Sequence, residues 1–511
     1  MDMEDIVFLS YVLTESARKK SNSKSKELVS AGDQLYKINE FEDAISVYTD
    51  AIRTAKPNTS ILGSCYLRRA KALENRKAYN DALSDLNFAL SLLKSKAKQK
   101  QIEGMIGTVN LKIKDLKKEN IINSSDDSKP MVIEEENKEI PGCSSLINIC
   151  YNTEYGRYFQ ATKPIKSRQV LLSVEPYLFI LNDEKELDYC HYCGSHTLAL
   201  IPCDSCAKAL YCSFTCRQKA YESYHEVECK LGIFQENLNA ILRLFLMVTK
   251  QGLLLKEMID LSEKKNQNPR RAGFVSDKFI GNTAQAVLSL QCNPNNLFED
   301  SVLVTKLIVS FLSSRTDLIT PYNVLGVLNF IQKLNFIFMQ NAIQVRGIHF
   351  EDILGMALYP VYNLFNHSCV PNTLCFNTHD LKQVLIACKD IDNNEQVFGN
   401  NLSTGTVLLT AAGRKKILKD FKNFKCTCVA CNNNYTFKPE IRNLKVPEDI
   451  KSQWKKDPAS IENMWRVLEY MYKKVKEPCL EIEVMKFAIS DAYLGNKNAY
   501  IKEMCKKLKV I

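Results

Sequence analysis

A cluster of eight potential metal ligands constrains the fold of this chain more than any other feature of its sequence. The ligands come in pairs whose members are separated by two or three residues, so that both members can face one metal ion. The pairs are Cys190 and Cys193, Cys203 and Cys206, Cys212 and Cys216, and His225 and Cys229. One such pair can arise by chance, but four within 40 residues indicate two tetrahedral zinc sites rather than buried inert thiols. We therefore expect this segment to need metal in order to fold.

The rest of the composition is typical of a globular protein. The chain has 511 residues, a length that suggests about three domains. Of these residues, 45% are hydrophobic and 25% are charged. The first residues are acidic, whereas a secretory signal would need positive charge at this point. The chain contains 19 cysteines. We therefore expect an intracellular protein with metal-bound thiolates rather than disulfides. No stretch approaches 18 uncharged apolar residues, so no membrane span is expected, and the net charge of +10 is too mild to argue for a nucleic-acid partner.

The N-terminal region repeats itself with an offset of 38 residues. Small alanines at two positions of each repeat allow two helices to approach closely, and larger side chains fill the gap between them. The matching sets are Phe41, Ala44, Tyr48 and Ala51, and then Tyr79, Ala82, Leu86 and Ala89. This pattern resembles tetratricopeptide repeats and predicts helical repeats over residues 25–119, with a last helix at 98–119 that caps them. A plain helical bundle is the alternative.

Some repeat domains of this kind bind acidic C-termini with a clamp of lysine and asparagine residues. Asp33 and Arg68 take the corresponding positions here. Because Asp33 would repel a carboxylate, we expect the repeats to bind a protein partner in another way.

Two β-type segments flank the cysteine cluster, so the cluster is predicted to be an insertion within one domain. The motifs of these segments are Gly156-Arg157-Tyr158 before the cluster, and Asn366-His367-Ser368-Cys369-Val370-Pro371-Asn372 with Cys426, Cys428 and Cys431 after it. Together they resemble a SET methyltransferase domain interrupted by a MYND zinc finger. From residue 25 to 431 the chain resembles the tetratricopeptide-bearing branch of the SET and MYND domain-containing family of protein-lysine methyltransferases.

The resemblance and the shifts in composition predict an α+β multidomain chain. N-terminal helical repeats precede a β-rich SET domain that is split by the MYND finger and a helical insert, and a cysteine-rich post-SET region and a helical C-terminus follow. The predicted boundaries are an N-terminal segment at 1–24, repeats at 25–119, a linker at 120–144, SET parts at 145–189 and 341–404, the finger at 190–229, the insert at 230–340, the post-SET region at 405–434 and the C-terminal helical region at 435–511.

The resemblance also implies how the metal ligands are shared among three zinc ions. The implied sets are Cys190, Cys193, Cys212 and Cys216; Cys203, Cys206, His225 and Cys229; and Cys369, Cys426, Cys428 and Cys431. Fingers of this family dock proline-rich peptides with the help of an aromatic residue before the histidine. Tyr221 stands where tryptophan is common, and both rings offer an apolar face.

A site for S-adenosylmethionine is implied by the same resemblance. Asn366 and His367 would contact this methyl donor through backbone and side chain, Asn341 would contact its amino-acid end, Phe424 would pack near its adenine, and Gly156, Arg157 and Tyr158 would line the same pocket. Tyr158 replaces the second glycine of the usual Gly-x-Gly motif, a position where glycine allows close approach of the backbone. Taken singly, His367 is more often a satisfied core histidine and Asn341 a helix-end amide. Their occurrence with the other motifs in order supports the donor site.

The tyrosines expected of such a catalytic site are missing. The reaction-promoting tyrosine is expected at about Asn401 and a second one near Lys422, but residues 363–434 contain no tyrosine. The loss of one preorganised donor costs on the order of 100-fold in rate. The candidate replacements are Tyr359, Tyr362 and Tyr158.

The predicted function is transfer of a methyl group from S-adenosylmethionine to a lysine of a histone or another protein, in the nucleus and cytoplasm. The alternative is a catalytically weak or inactive scaffold that recruits protein partners through the repeats and the finger. The missing tyrosine favours the scaffold, and the intact motif at Asn366 favours the enzyme. A zinc-dependent nucleic-acid binder would rest on the finger and the mild positive charge alone.

Overall fold

The structure is a computed structural model of the chain. It describes residues 19–123, 131–232, 236–250, 257, 268–292, 299–316, 318–347, 353–400, 402, 409–422, 424–435, 447–457, 460–475 and 480–495. The chain divides into two compact units, one made of Met1–Ser125, Phe179–Met247 and Lys306–Val324, the other of Asp126–Leu178, Val248–Thr305 and Leu325–Ile511. In the part of the chain that the structure describes, no helix is both long and apolar enough to cross a membrane.

Helices come first, two groups of strands separated by helices follow, and helices come again after the last strand; the predicted α+β class is confirmed. The helices are α1 (Asn22–Lys37), α2 (Phe41–Thr54), α3 (Ser60–Asn75), α4 (Tyr79–Leu92), α5 (Lys96–Asn123), α6 (Phe214–Ala220), α7 (Glu226–Leu231), α8 (Glu236–Thr249), α9 (Ala284–Leu288), α10 (Glu299–Arg315), α11 (Val324–Asn341), α12 (Ala411–Lys422), α13 (Val429–Asn432), α14 (Glu448–Lys456), α15 (Ile461–Lys474) and α16 (Leu480–Tyr493). The strands are β1 (Ile147–Asn152), β2 (Gly156–Ala161), β3 (Val170–Val174), β4 (Leu178–Leu181), β5 (Ile201–Pro202), β6 (Leu210–Tyr211), β7 (Ile343–Arg346), β8 (Ile353–Leu358), β9 (Thr373–Asn377), β10 (Gln383–Ala387) and β11 (Gln396–Val397).

The sequence repeat of the N-terminal region is also a backbone repeat. Asn39 and Lys77, which are 38 residues apart, have φ angles of 65° and 61°. Each donates its backbone N–H to the carbonyl three residues earlier, on Tyr36 and Glu74, and so ends one helix and turns the chain into the next. The alanines at matching repeat positions, Ala44, Ala51, Ala82 and Ala89, are all 0% exposed. The pairs α1–α2 and α3–α4 are therefore successive copies of one helical hairpin.

Close packing of α1 on α2 depends on a glycine. A Cβ atom at Gly32 would lie 2.5 Å from Cε1 of Tyr48, so that a larger residue would push the helices apart. The hydroxyl of Tyr48 donates to Asp33 at 2.7 Å, and Arg68 Nε donates to the same carboxylate at 2.9 Å. Asp33 and Arg68 are therefore paired with each other.

Strands on either side of the finger pair with one another in the second unit. β2 is antiparallel to β11, with Phe159 opposite Val397. β3 is antiparallel to β10, with Leu172 opposite Leu385. β1 extends the first sheet beside β2, and β9 extends the second beside β10. The β-rich domain is thus interrupted in the sequence and continuous in space, as predicted.

The C-terminal helices α14 to α16 cover one face of the β9–β10 sheet. Trp465 and Leu468 of α15 pack with Phe376 of β9 and Val384 of β10 in one buried cluster. Arg168, just before β3, donates to Glu469 of α15 at 2.7 Å. Burial of this much apolar surface makes the C-terminal helices part of the core that supports the sheet.

Candidate functional site

The first cysteine group lies around the β5–β6 hairpin of the finger. The sulfurs of Cys190, Cys193, Cys212 and Cys216 all lie within 4.8 Å of one another. Cys212 directly follows β6, and Cys216 lies in the first turn of α6, whose N-cap Ser213 accepts a hydrogen bond from the Cys216 amide at 3.1 Å. Sulfur atoms around a tetrahedral zinc with bonds of about 2.3 Å lie about 3.8 Å apart, so this donor set fits one zinc ion.

The second group contains Cys203, Cys206, His225 and Cys229, whose ligand atoms also lie within 4.8 Å of one another. Nε2 of His225 lies 3.5 Å from Sγ of Cys206 and points into the group. His225 is the last residue of a π-helical turn, Tyr221–His225, that joins α6 to α7. The π-helical turn brings the imidazole into line with Cys229 on α7.

A buried carboxylate supports this histidine, and the sequence analysis did not identify it. Nδ1 of His225 donates to Glu228 Oε2 at 2.7 Å, and Arg243 Nε donates to Glu228 Oε1 at 2.7 Å. Burial alone would raise the pKa of Glu228, but the charge of Arg243 and the hydrogen bond from His225 lower it to about 2. The ionised carboxylate can only accept, so Nδ1 carries the proton and Nε2 presents its lone pair to a metal. The spacing of three residues between His225 and Glu228 on a helix was the available signal.

The third group joins two parts of the second unit that are distant in sequence. Cys369 precedes β9, whereas Cys426, Cys428 and Cys431 lie at α13, and all four sulfurs lie within 4.8 Å of one another. Sγ of Cys369 is 3.6 Å from Sγ of Cys431. The donor set again fits one zinc ion, and a metal here would tie the segment before β9 to the segment that follows α12.

The residues around Asn366 are held against the segment that follows β11. Gly399 donates its backbone N–H to Asn366 O at 3.0 Å, and Ser368 donates to Gly399 O at 3.0 Å. The side-chain amide of Asn372 contacts the same segment at two points. It accepts a hydrogen bond from Phe398 N and donates one to Gln396 O, at 2.9 Å each. This structural role of Asn372 was missed by the sequence analysis.

His367 and Phe424, both predicted to contact the methyl donor, lie side by side. Their ring centroids are 5.8 Å apart. Burial lowers the pKa of His367 to about 4, so its ring is neutral at physiological pH. The structure thus brings together two predicted contacts from segments separated by β9, β10, β11 and α12.

Asn341 and Arg157 contact the helical insert instead. Asn341 Nδ2 donates to Gln291 O and to Ile337 O at 2.8 Å each. Arg157 donates to the carbonyl oxygens of Ala272 and Ser289. Burial lowers the pKa of Arg157 to about 10, and the guanidinium remains charged at neutral pH. The side-chain N–H groups of both residues are therefore engaged with main-chain carbonyls.

The other two predicted donor contacts lie in the β1–β2 hairpin. Gly156 has a φ of +71°, and no atom lies within 4 Å of a Cβ built there. The positive φ, rather than a close neighbour, therefore favours glycine at this position. Tyr158 lies opposite Cys150 in the same hairpin.

A cavity of about 570 Å³ opens in the second unit beside these residues. It is lined by the end of α11, by β9, by the segment after β11, by the last turn of α12 and by α16. The lining includes Lys422, and the described lining residues include none of the predicted donor contacts. The Lys422 amine donates to Gln340 O and Ala342 O, which flank Asn341, at 3.0 Å each. The cavity therefore adjoins the predicted donor site at Lys422.

Two of the suggested replacement tyrosines differ in their position. Tyr362 lines the cavity, and its hydroxyl donates to Asn400 O at 2.8 Å and accepts from Asn400 N at 3.2 Å. Tyr359 is 0% exposed, and its hydroxyl donates to Leu381 O at 2.6 Å. Asn401, the expected position of the catalytic tyrosine, falls outside the described residues. Tyr362 is therefore the candidate that reaches the cavity wall.

Comparison with known proteins matches the finger and the wider chain to one group of proteins. Residues 190–229 match the MYND finger family. Protein-lysine N-methyltransferase SMYD4 of Pongo abelii is 26% identical over 39% of this chain and 33% of its own length. The Danio rerio protein of that name is 22% identical over 84% of this chain and 68% of its own length. Human N-lysine methyltransferase SMYD2 is 25% identical over 68% of this chain and 75% of its own length.

The chain spans about a third of the length of the first curated relatives that it matches. A solved SET domain of LSMT, bound to lysine and AdoHcy, aligns at 12% identity with a TM-score of 0.25, which is too low to indicate a common fold; the alignment covers 71% of this chain and 88% of that one. Residues 190–229 therefore form a MYND finger, and the wider chain is similar to the protein-lysine methyltransferases SMYD4 and SMYD2.

Proposed function

We propose that this protein transfers a methyl group from S-adenosylmethionine to lysine side chains of other proteins. The observation that carries this proposal is the meeting of Asn366, His367 and Phe424 beside the cavity whose wall contains Lys422 and Tyr362. The relatives' names describe protein-lysine methyltransferases, which supports the same activity. The donor would supply an electrophilic methyl group on a positively charged sulfur.

The chain's own residues would position the two reactants. The rings of His367 and Phe424, whose centroids are 5.8 Å apart, would pack against the donor's apolar surface. The backbone of Asn366 is held by its hydrogen bond from Gly399, and this rigidity favours a fixed donor geometry. The cavity, whose lining includes the apolar side chains of Phe338, Leu374 and Phe376, would receive the substrate lysine and orient its amine for in-line attack.

We also propose that each of the three cysteine groups holds one structural zinc. The chemistry supports this, since each group offers four sulfur or imidazole ligands within 4.8 Å of one another. The zinc ions would fix the finger and the segment after α12, and none of them would take part in methyl transfer.

The test combines donor binding with methyl transfer. Zinc-loaded full-length protein is titrated with S-adenosylmethionine by calorimetry, and a protein lysate is then incubated with enzyme and radiolabelled donor. We expect saturable binding and labelled proteins, and Phe424→Ala should weaken binding without loss of zinc. A chain that binds no donor would contradict the proposal, and Phe214→Ala on the finger is the matched control.

The second candidate function is a scaffold with little or no catalysis. The absence of tyrosine from residues 363–434 favours it, because a methyltransferase of this kind loses a preorganised hydroxyl. Donor binding without transfer to any lysate protein, under conditions where a related enzyme is active, would favour this function.

Partner binding would use surfaces that both candidates share. The finger exposes two aromatic rings, with Tyr221 at 46% and Phe214 at 54% exposure, and such rings suit a proline-rich peptide. The repeated hairpins α1 to α4 would act as tetratricopeptide repeats for a protein partner. Peptide affinity that is lost in Tyr221→Ala and kept in Phe424→Ala would support the finger's role.

The proposed places of action are the nucleus and the cytoplasm. Imaging of a tagged full-length chain tests this, and confinement to another compartment would contradict it.

A further inference from the structure

Lys422 ends α12 and places its amine at the cavity wall. Nζ donates to Gln340 O and to Ala342 O, both at 3.0 Å. These carbonyls flank Asn341 in the chain, and Phe424 follows Lys422 by two residues. The backbone beside two predicted donor contacts therefore holds a lysine of the protein itself.

The hydrogen bonding of this amine suits a nucleophile. A neutral lysine amine has two N–H groups and one lone pair. If the two carbonyls accept both N–H groups, the lone pair points away from them. The carbonyls would thus orient the amine in the way that a methyl acceptor must be oriented.

The surroundings also favour the neutral form. Burial lowers the pKa of Lys422 to about 8, so that more of its amine is unprotonated near physiological pH than in an ordinary lysine. The charged groups that line the same cavity are Arg346, Lys486, Glu483 and Asp491. Two cations and two anions leave the cavity without a strong net charge that would hold Lys422 protonated.

We propose that Lys422 is a methylation site of this protein, modified within its own chain by the donor bound at Asn366 and His367. This inference rests on the methyl donor site proposed above. In the reaction, the lone pair of Nζ forms a bond to the methyl carbon while the carbon–sulfur bond breaks. The bonding pair stays on sulfur, which leaves as a neutral thioether, and the ammonium formed loses a proton to water. The reaction needs no reactant other than the donor.

Other lysines of α12 provide matched controls. Lys416 and Lys419 lie on the same helix, but both are exposed. Neither is among the residues that line the cavity. A reaction that follows surface accessibility would label these two before Lys422, whereas a reaction inside the site would label Lys422 first.

The experiment uses zinc-loaded full-length protein and S-adenosylmethionine with a trideuterated methyl group. The mass of the purified protein is recorded first, because methylation during expression would already appear there. Intact mass and peptide mass spectrometry then follow label at each lysine over time, at several protein concentrations. Calorimetry with the same donor is run on the wild type, Lys422→Arg and Lys419→Arg.

We expect label on Lys422 at a rate per molecule that does not depend on protein concentration. Lys422→Arg should still bind the donor but should carry at least tenfold less total label. Lys419→Arg should carry as much total label as the wild type. Donor binding and transfer to lysate proteins without label on Lys422, or label spread over exposed lysines, would overturn this inference and leave the proposed function standing. Failure to bind donor would overturn both.

Discussion

Arg69 of α3 and Asp85 of α4 form a doubly hydrogen-bonded ion pair in which both side chains are 0% exposed. Nε and Nη2 of Arg69 donate to the two carboxylate oxygens at 2.7 and 2.8 Å. Arg69 also donates to Thr49 Oγ1 on α2 and to Leu200 O just before β5. One guanidinium therefore connects both helical hairpins to the finger inside the first unit.

Removal of one partner of this pair should destabilise the first unit strongly. Asp85→Asn leaves a buried guanidinium without its counter-charge, which costs about 3–5 kcal/mol. We expect a large fall in the urea concentration at the midpoint of unfolding of the first unit, as measured by circular dichroism. The double variant Arg69→Met with Asp85→Leu removes both charges, and its urea midpoint should lie closer to that of the wild type. Equal losses in the single and double variants would contradict this account.

A second ion pair predicts a pH dependence of stability. Glu186 accepts from Arg53 at 2.6 Å and lies 2.5 Å from Lys208. Burial alone would raise the pKa of Glu186, but these two cations lower it below its ordinary value of 4.5. Because the folded-state pKa is depressed, the stabilisation is full above about pH 4.5 and is lost as the pH falls through the folded pKa.

Glu186→Gln should therefore lower the free energy of unfolding by about 1.5–3 kcal/mol at pH 7, which is the contribution of hydrogen bonds to a charged group. The difference in melting temperature between wild type and variant should narrow as the pH falls below 4.5. Comparison of the two proteins removes the effect of metal loss in acid, which both share. A difference that stays constant from pH 7 to well below pH 4.5 would contradict the prediction.

The hydrogen bond from His225 to Glu228 predicts a metal-affinity effect. Glu228→Gln removes the ionised acceptor that fixes the histidine tautomer, and such substitutions weaken metal binding about 10–100-fold. Competition with a chromophoric chelator measures the change. Glu226→Gln, on the same helix and paired with Lys230 near the surface, is the control and should have little effect. Similar zinc affinities in both variants would show that the carboxylate does not support the site.

Zinc content tests the third cysteine group. The three groups predict three zinc ions per chain, and Cys428→Ser should lower the count to two while the finger keeps its metal. Elemental analysis of dialysed protein gives the stoichiometry. A count of two in the wild type would show that the group at Cys369 does not hold zinc.

Short-range patterns in the sequence predicted much of the local structure. The 38-residue repeat predicted matched helices because buried alanines must recur wherever two helices touch, and the turns at Asn39 and Lys77 recur with them. The close spacing of the finger's cysteines predicted clusters for the same reason, since residues two or three apart share a face. Glu228 was missed because one acidic residue on a helix resembles any solvated charge.

The sequence by itself determined the local elements, the ligand pairs and the MYND finger, because these depend on neighbours along the chain. Only the tertiary structure decided that Arg69 meets Asp85, that β3 pairs with β10, and that Lys422 meets the carbonyls around Asn341. Those contacts join residues that are distant along the chain, and burial removes the water that would otherwise satisfy their polar groups. Each buried charge must then find a partner elsewhere in the fold, and the identity of that partner follows from the packing of whole elements.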